Sequence, residues 1–86
     1  MKSDLESIFA RIQDKKIMKK FFSEIFTEAE RNDLALRWEL MKRLHEGVPQ
    51  REIAAELGIS LCKITRGSKI VKSKTSTTNR ILNGKL

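Results

Sequence analysis

This 86-residue chain has few of the side chains on which thiol, imidazole or phenol chemistry depends. It carries one cysteine, Cys62, one histidine, His45, one tryptophan, one proline and no tyrosine. A single cysteine cannot close an intrachain disulfide, which excludes a secreted disulfide scaffold, and no metal-ligand partner stands near it. His45 is accompanied by no acid–base pair, P-loop, dinucleotide fingerprint or metal cluster, so the sequence does not read as an enzyme. No apolar run is long enough for a membrane span, and the first residues lack the apolar stretch of a signal peptide. A cytoplasmic location is the resulting expectation. Internal repeats and strand-like alternation are also missing, which leaves an all-α fold. The length allows one small domain at most.

The absence with most content is that of negative charge in the C-terminal third. Residues 1–56 hold eleven basic and eleven acidic side chains and are neutral. Residues 57–86 hold Lys63, Arg66, Lys69, Lys72, Lys74, Arg80 and Lys85 and no acid. The whole net charge of +7 therefore arises there. A basic field confined to one end suits a phosphate backbone, through attraction and counterion release. Taken alone, the tail could equally be a solvated segment.

Residues 50–68 give that charge a framework. Ile53 and Leu57 put an apolar stripe on one short helix, and Ala54 is small where a second helix must cross closely. Gly58 supplies the positive φ that reverses the chain within a few residues. Ile59 and Ile64 close the core from the other side, and Ser60 suits the N-cap of the second helix. This is the pattern of a helix-turn-helix, although two packed helices without a nucleic-acid role would share its apolar positions. Within it, Gln50 and Arg51 open the first helix and can reach phosphate or, for Arg51, a guanine edge. Leu61, Cys62, Lys63 and Thr65 start the second helix, where base edges are met, and Lys69 and Lys72 suit phosphates.

Upstream, Ser3 and Glu6 have capping-box spacing before Leu5, Ile8, Phe9 and Ile12. The pattern shifts register around residues 14–16, and a second helix carries Ile17, Met18, Phe21, Phe22, Ile25 and Phe26. All four phenylalanines lie in these two helices, which gives either an ordinary core or a surface for a partner. Thr27 and Glu30 form a further capping box for a long helix over residues 28–46, with Leu34, Trp38, Met41 and Leu44 as its expected buried stripe. Gly47 ends it and Pro49 stands at the entrance to the next helix. The boundaries expected are residues 1–47 for dimerisation and core, 48–72 for the helix-turn-helix, and 73–86 for a basic, weakly structured tail.

Ile64-Thr-Arg-Gly-Ser-Lys69, joined to Gln50-Arg-Glu-Ile53 upstream, resembles the Trp repressor family over residues 26–72. The signature is more specific than a generic helix-turn-helix match. The resemblance implies an intertwined homodimer on double-stranded operator DNA, with L-tryptophan as corepressor and neither metal nor other cofactor. It implies an indole held between Arg37 and Arg66, with Arg66 also pairing with the ligand carboxylate. Gly67 would leave room for the ligand, and the turn at Phe26 and Thr27 of the other subunit would offer carbonyls to its ammonium. On pattern alone Arg37 is a solvated helix residue, Arg66 a phosphate contact and Gly67 a helix C-cap. Lys63 stands where the family commonly has threonine, and Ile70 where it has a small residue. The C-terminal helix is expected to be reduced or absent. Three readings follow: a tryptophan-responsive repressor, a related DNA-binding regulator without that response, and a protein-interaction module.

Overall fold

The computed structural model describes residues 3–85. Among these there are six helices and no strand: α1 (Leu5–Arg11), α2 (Lys15–Ile25), α3 (Glu28–His45), α4 (Gln50–Leu57), α5 (Leu61–Lys72) and α6 (Thr77–Leu82). The all-α expectation holds. The chain divides into two compact units between Asp33 and Leu34. Residues 34–45 of α3 thus group with α4, α5 and α6 in the second unit.

In the first unit, Asp14 caps α2 by accepting from the backbone N–H groups of Lys16 (2.7 Å) and Ile17 (3.4 Å). The same residue explains the register shift, because an N-cap restarts the helical period. The capping box expected at Ser3 does not form: Asp4 is the N-cap of α1, and Ser3 Oγ accepts from Leu5 N at 3.1 Å. The four phenylalanines converge. Phe9 meets Phe21 edge to face at 5.3 Å, Phe22 at 5.5 Å and Phe26 at 6.3 Å, and Phe22 lies 5.2 Å from Phe26. Each such pair adds about 1 kcal/mol to its area burial. Even so, neither α1 nor α2 contains a fully buried residue.

The start of α3 is the reciprocal box expected from the sequence. Thr27 N donates to Glu30 Oε1 at 2.9 Å and Glu30 N donates to Thr27 Oγ1 at 3.2 Å. The Thr27 backbone N–H, and after it the Thr27 hydroxyl, hold the Glu30 carboxyl below its ordinary value. A depressed folded-state value means that the contribution is complete above the unfolded carboxylate value and is lost as pH falls through the folded one. Acidification is therefore expected to fray the first turn of α3, as read from the Thr27 amide shift. Glu30→Gln, which keeps the geometry without the titration, is expected to abolish that pH dependence.

In the second unit, α3 ends in a Schellman arrangement around Gly47 (φ 86): Val48 N donates to Arg43 O at 3.0 Å and Gly47 N to Leu44 O at 3.1 Å. Pro49 is the N-cap of α4. Gly58 closes α4 in the left-handed region (φ 64), with its N–H on Ala54 O at 2.9 Å. An added Cβ at Gly58 would meet nothing, so only backbone strain opposes one. Gly58→Ala is expected to cost about 1–2 kcal/mol in a urea titration. Ser60 caps α5 by accepting from Lys63 N at 3.4 Å.

Leu40, Ile53 and Ile64 form the core of this unit, with Leu44, Val48, Ala54, Leu57 and Ile59 packed around them. Ile53 and Ile64 are fully buried, and each is worth roughly 2 kcal/mol in transfer free energy. The buried stripe expected on α3 is corrected. Leu34 and Trp38 are 38% and 42% exposed, whereas Leu40 is buried. Only the last turns of α3 pack on α4 and α5, so the chain covers the face carrying Leu40 and Leu44 and leaves Leu34, Leu36 and Trp38 open. The stretch read as a weakly structured tail contains α6, capped by Ser76 accepting from Asn79 N at 3.0 Å.

Candidate nucleic-acid interface

The burial pattern of α5 determines what it can offer a ligand. Ile64, Gly67, Ser68 and Val71, spaced three and four apart, are the face turned inward. Leu61 (53% exposed), Cys62, Lys63, Thr65, Arg66, Lys69 and Lys72 remain on the surface. Every side chain expected on α5 to meet base edges or phosphates is thus accessible. Arg51 is exposed on the first turn of α4, and Gln50 beside it is half-buried.

The cations of α5 are uncompensated among the described residues. Ion pairs among the described residues join Glu39 to Lys42 (3.0 Å) and to Arg43 (3.3 Å), and Arg43 to Glu56. The two Glu39 pairs lie within α3, the Arg43–Glu56 pair ties α3 to α4, and none engages Lys63, Arg66, Lys69 or Lys72. Hydrogen bonds from Lys42 and then Arg43 hold the Glu39 carboxyl below its ordinary value, which keeps it anionic in the pair. Sequence reasoning missed the Arg43–Glu56 bridge, because partners thirteen positions apart carry no local signal.

Thr65 is more restricted than its type suggests. Its hydroxyl donates to Leu61 O at 2.9 Å, within its own helix. The lone pairs that remain make it an acceptor, suited to the amino group of adenine or cytosine. Cys62 is a free, exposed thiol.

The residues assigned to a corepressor are distributed as follows. Arg37 on α3 and Arg66 on α5 are both exposed, and neither is in an ion pair among the described residues. Gly67 is not a C-cap, since α5 continues to Lys72. It is buried where α3 approaches closely: a Cβ there would lie 3.3 Å from Leu44 Cδ1, 3.4 Å from Leu40 Cδ2 and 3.5 Å from Met41 Sδ. Close helix packing accounts for a very small residue at this position, since a larger side chain would collide with α3. Phe26 sits in the aromatic cluster, and its carbonyl accepts from Arg31 Nη1 at 2.6 Å. Thr27 caps α3. Among the described residues no group of His, Cys, Asp and Glu could hold a metal ion, and no helix is long and apolar enough to cross a membrane.

A short helix, a left-handed glycine turn and a second helix with an outward, unpaired cationic face define a helix-turn-helix DNA-binding protein. Residues 3–86 match the family described as Trp repressor protein, and the chain belongs to that family, one of transcription regulators and not of enzymes. Its relatives include a Trp operon repressor homolog of Chlamydia trachomatis serovar D, 37% identical over 67 residues, covering 77% of this chain and 71% of the relative. A Trp operon repressor homolog of Chlamydia caviae is 34% identical over 71 residues, covering 81% and 70%. One from Pasteurella multocida is 34% identical over 70 residues, covering 80% and 65%. No solved structure matches the chain. Family membership makes the chain a DNA-binding transcription repressor.

Proposed function

We propose that this repressor works as an intertwined homodimer that places two α5 helices in successive major grooves of an operator, with L-tryptophan as corepressor. The observation that carries the DNA contact is the face of α5 on which Lys63, Arg66, Lys69 and Lys72 are exposed and unpaired. Leu61, Cys62, Lys63 and Thr65 would face base edges, with Gln50 and Arg51 entering from α4. Lys69 and Lys72 would grip phosphates. Support for the dimer is the apolar surface that one chain leaves open: Ile17 and Ile25 in the first unit, and Leu34, Leu36 and Trp38 on α3.

Support for tryptophan is the Ile64-Thr-Arg-Gly-Ser68 signature together with two free guanidiniums, Arg37 and Arg66. A guanidinium can stack on an indole face and also grip a carboxylate. In this reading Gly67 makes room for the ligand, and Phe26 and Thr27 of the other subunit offer carbonyls to the ammonium. The ligand would act only through its different affinity for two arrangements of the reading heads. The regulated genes would serve tryptophan synthesis or uptake.

A second reading, a repressor without tryptophan response, is favoured by two observations. Packing against Leu40, Leu44 and Met41 already calls for a very small residue at 67, and the Phe26 carbonyl already has Arg31 as a partner.

The deciding experiment selects binding sites from a random duplex pool, then titrates the best site with and without L-tryptophan at two salt concentrations. Tighter binding with the amino acid supports the first reading; unchanged affinity and no calorimetric heat support the second. Indifference to every duplex at low ionic strength would falsify both. Within that assay Lys72→Ala is expected to weaken binding to any duplex and to reduce the salt slope by about 0.9. Arg51→Ala is expected to lower discrimination between selected and random duplexes by about 1–3 kcal/mol.

A further inference from the structure

The far end of α5, where Lys69 and Lys72 lie, is held by side chains of the segment that follows. A helix leaves its last four carbonyls without intrahelical donors. Here Ser73 N reaches Lys69 O (3.2 Å) and Ile70 O (3.3 Å). Ser76 Oγ donates to Ile70 O at 2.7 Å, and Asn79 Nδ2 donates to Val71 O at 2.6 Å. Ser76 works in both directions: its hydroxyl proton closes α5 while its lone pair accepts from Asn79 N and opens α6. The amide of Asn79 is oriented by Asn83, whose Nδ2 donates to Asn79 Oδ1 at 3.1 Å. Asn83 Oδ1 lies 3.1 Å from His45 Nε2 at the end of α3. An amide oxygen can only accept, so this contact is a hydrogen bond in the tautomer that has its proton on His45 Nε2. A continuous line of polar contacts therefore runs from the end of α3 through α6 to the last turn of α5.

We propose that Ser76 and Asn79 are positioning residues for DNA binding, which hold the last turn of α5 so that Lys69 and Lys72 meet phosphates at a fixed spacing. The proposal rests on the reading of α5 as the groove-facing helix. Neither residue touches DNA. Without them the last turn of α5 frays, and the two lysines lose their fixed positions relative to the base-reading end of the helix.

Asn79→Ala is the discriminating variant, because alanine favours the helix more than asparagine and leaves charge unchanged. Thr77→Ala is the neighbouring control and Ser76→Thr, which keeps the hydroxyl, the conservative rescue of Ser76→Ala. Full-length variants are compared by duplex affinity across a salt series and by amide exchange at Val71, Lys72 and Ser73. Asn79→Ala is expected to lower affinity about fivefold, as for one lost hydrogen bond, and to reduce the salt slope by between about 0.9 and 1.8. Exchange at the three amides is expected to accelerate while Ile64 stays protected, and Ser76→Thr is expected to match the parent in every readout. Unchanged exchange overturns the proposal. So does faster exchange with an unaltered salt slope, which would reduce the two residues to ordinary stabilisers. If the parent chain itself binds no duplex, the DNA reading fails and the positioning role fails with it; a binding parent with an indifferent Asn79→Ala overturns the positioning role alone.

Discussion

Ile64→Ala is expected to destabilise the chain by about 3 kcal/mol, with Ile64→Val costing about 1 kcal/mol. Ile64 has no exposed surface and sits with Leu40 and Ile53 at the centre of the second unit. Its removal opens a cavity that neighbours from three helices cannot fill, so the cavity penalty adds to the lost transfer free energy. A small domain has only about 5–15 kcal/mol of net stability, and the midpoint of thermal unfolding should fall by about 15 °C. Urea and thermal unfolding at one fixed protein concentration measure both, since association would otherwise shift the result. Lys63 and Thr65 flank Ile64, so the same change is expected to loosen the first turns of α5, which are proposed to face bases. A loss under about 1 kcal/mol would show that Ile64 is not held as described.

Gly67→Leu is expected to cost about 3 kcal/mol, whereas Gly67→Ala is expected to stay within about 1 kcal/mol of the parent. The alanine Cβ would meet the far ends of flexible Leu44, Leu40 and Met41 side chains at 3.3 to 3.5 Å. These ends must yield by a few tenths of an ångström, while alanine gains about 1 kcal/mol of helix propensity over glycine. The two effects nearly cancel. Leucine has no such escape and must push α3 away from α5. Urea titration of the pair tests the packing, and tryptophan calorimetry on Gly67→Ala tests the ligand. Normal folding and DNA binding without a tryptophan response would place a corepressor at this glycine. An intact response in Gly67→Ala would leave packing as its sole role.

Much of the helix-turn-helix was legible because its determinants are local. Gly58 takes a positive φ, Ser60 caps α5, and the 53/57 and 59/64 apolar pairs lie within a few residues of one another. Thr27 and Glu30 formed their box for the same reason. The apolar face of α3 could not be chosen locally. Leu34, Leu36, Trp38, Leu40, Met41 and Leu44 spread over more than one side of that helix, and several stripes satisfy a helical period. Ser3 failed as a cap because Asp4, one position later, took the N-cap place. The Ser76 and Asn79 contacts were hidden too, since they depend on the path of the chain after α5.

By itself the amino-acid sequence determined an all-helical chain, the reading pair and the one-sided positive charge, since each is written in neighbouring residues and their periodicity. Only the tertiary structure decided which side of the long helix is covered, why position 67 admits no large side chain and what secures the last turn of α5. Those outcomes depend on segments far apart in the chain competing for the same surface, and burial, unlike capping, is settled by whichever segment arrives there.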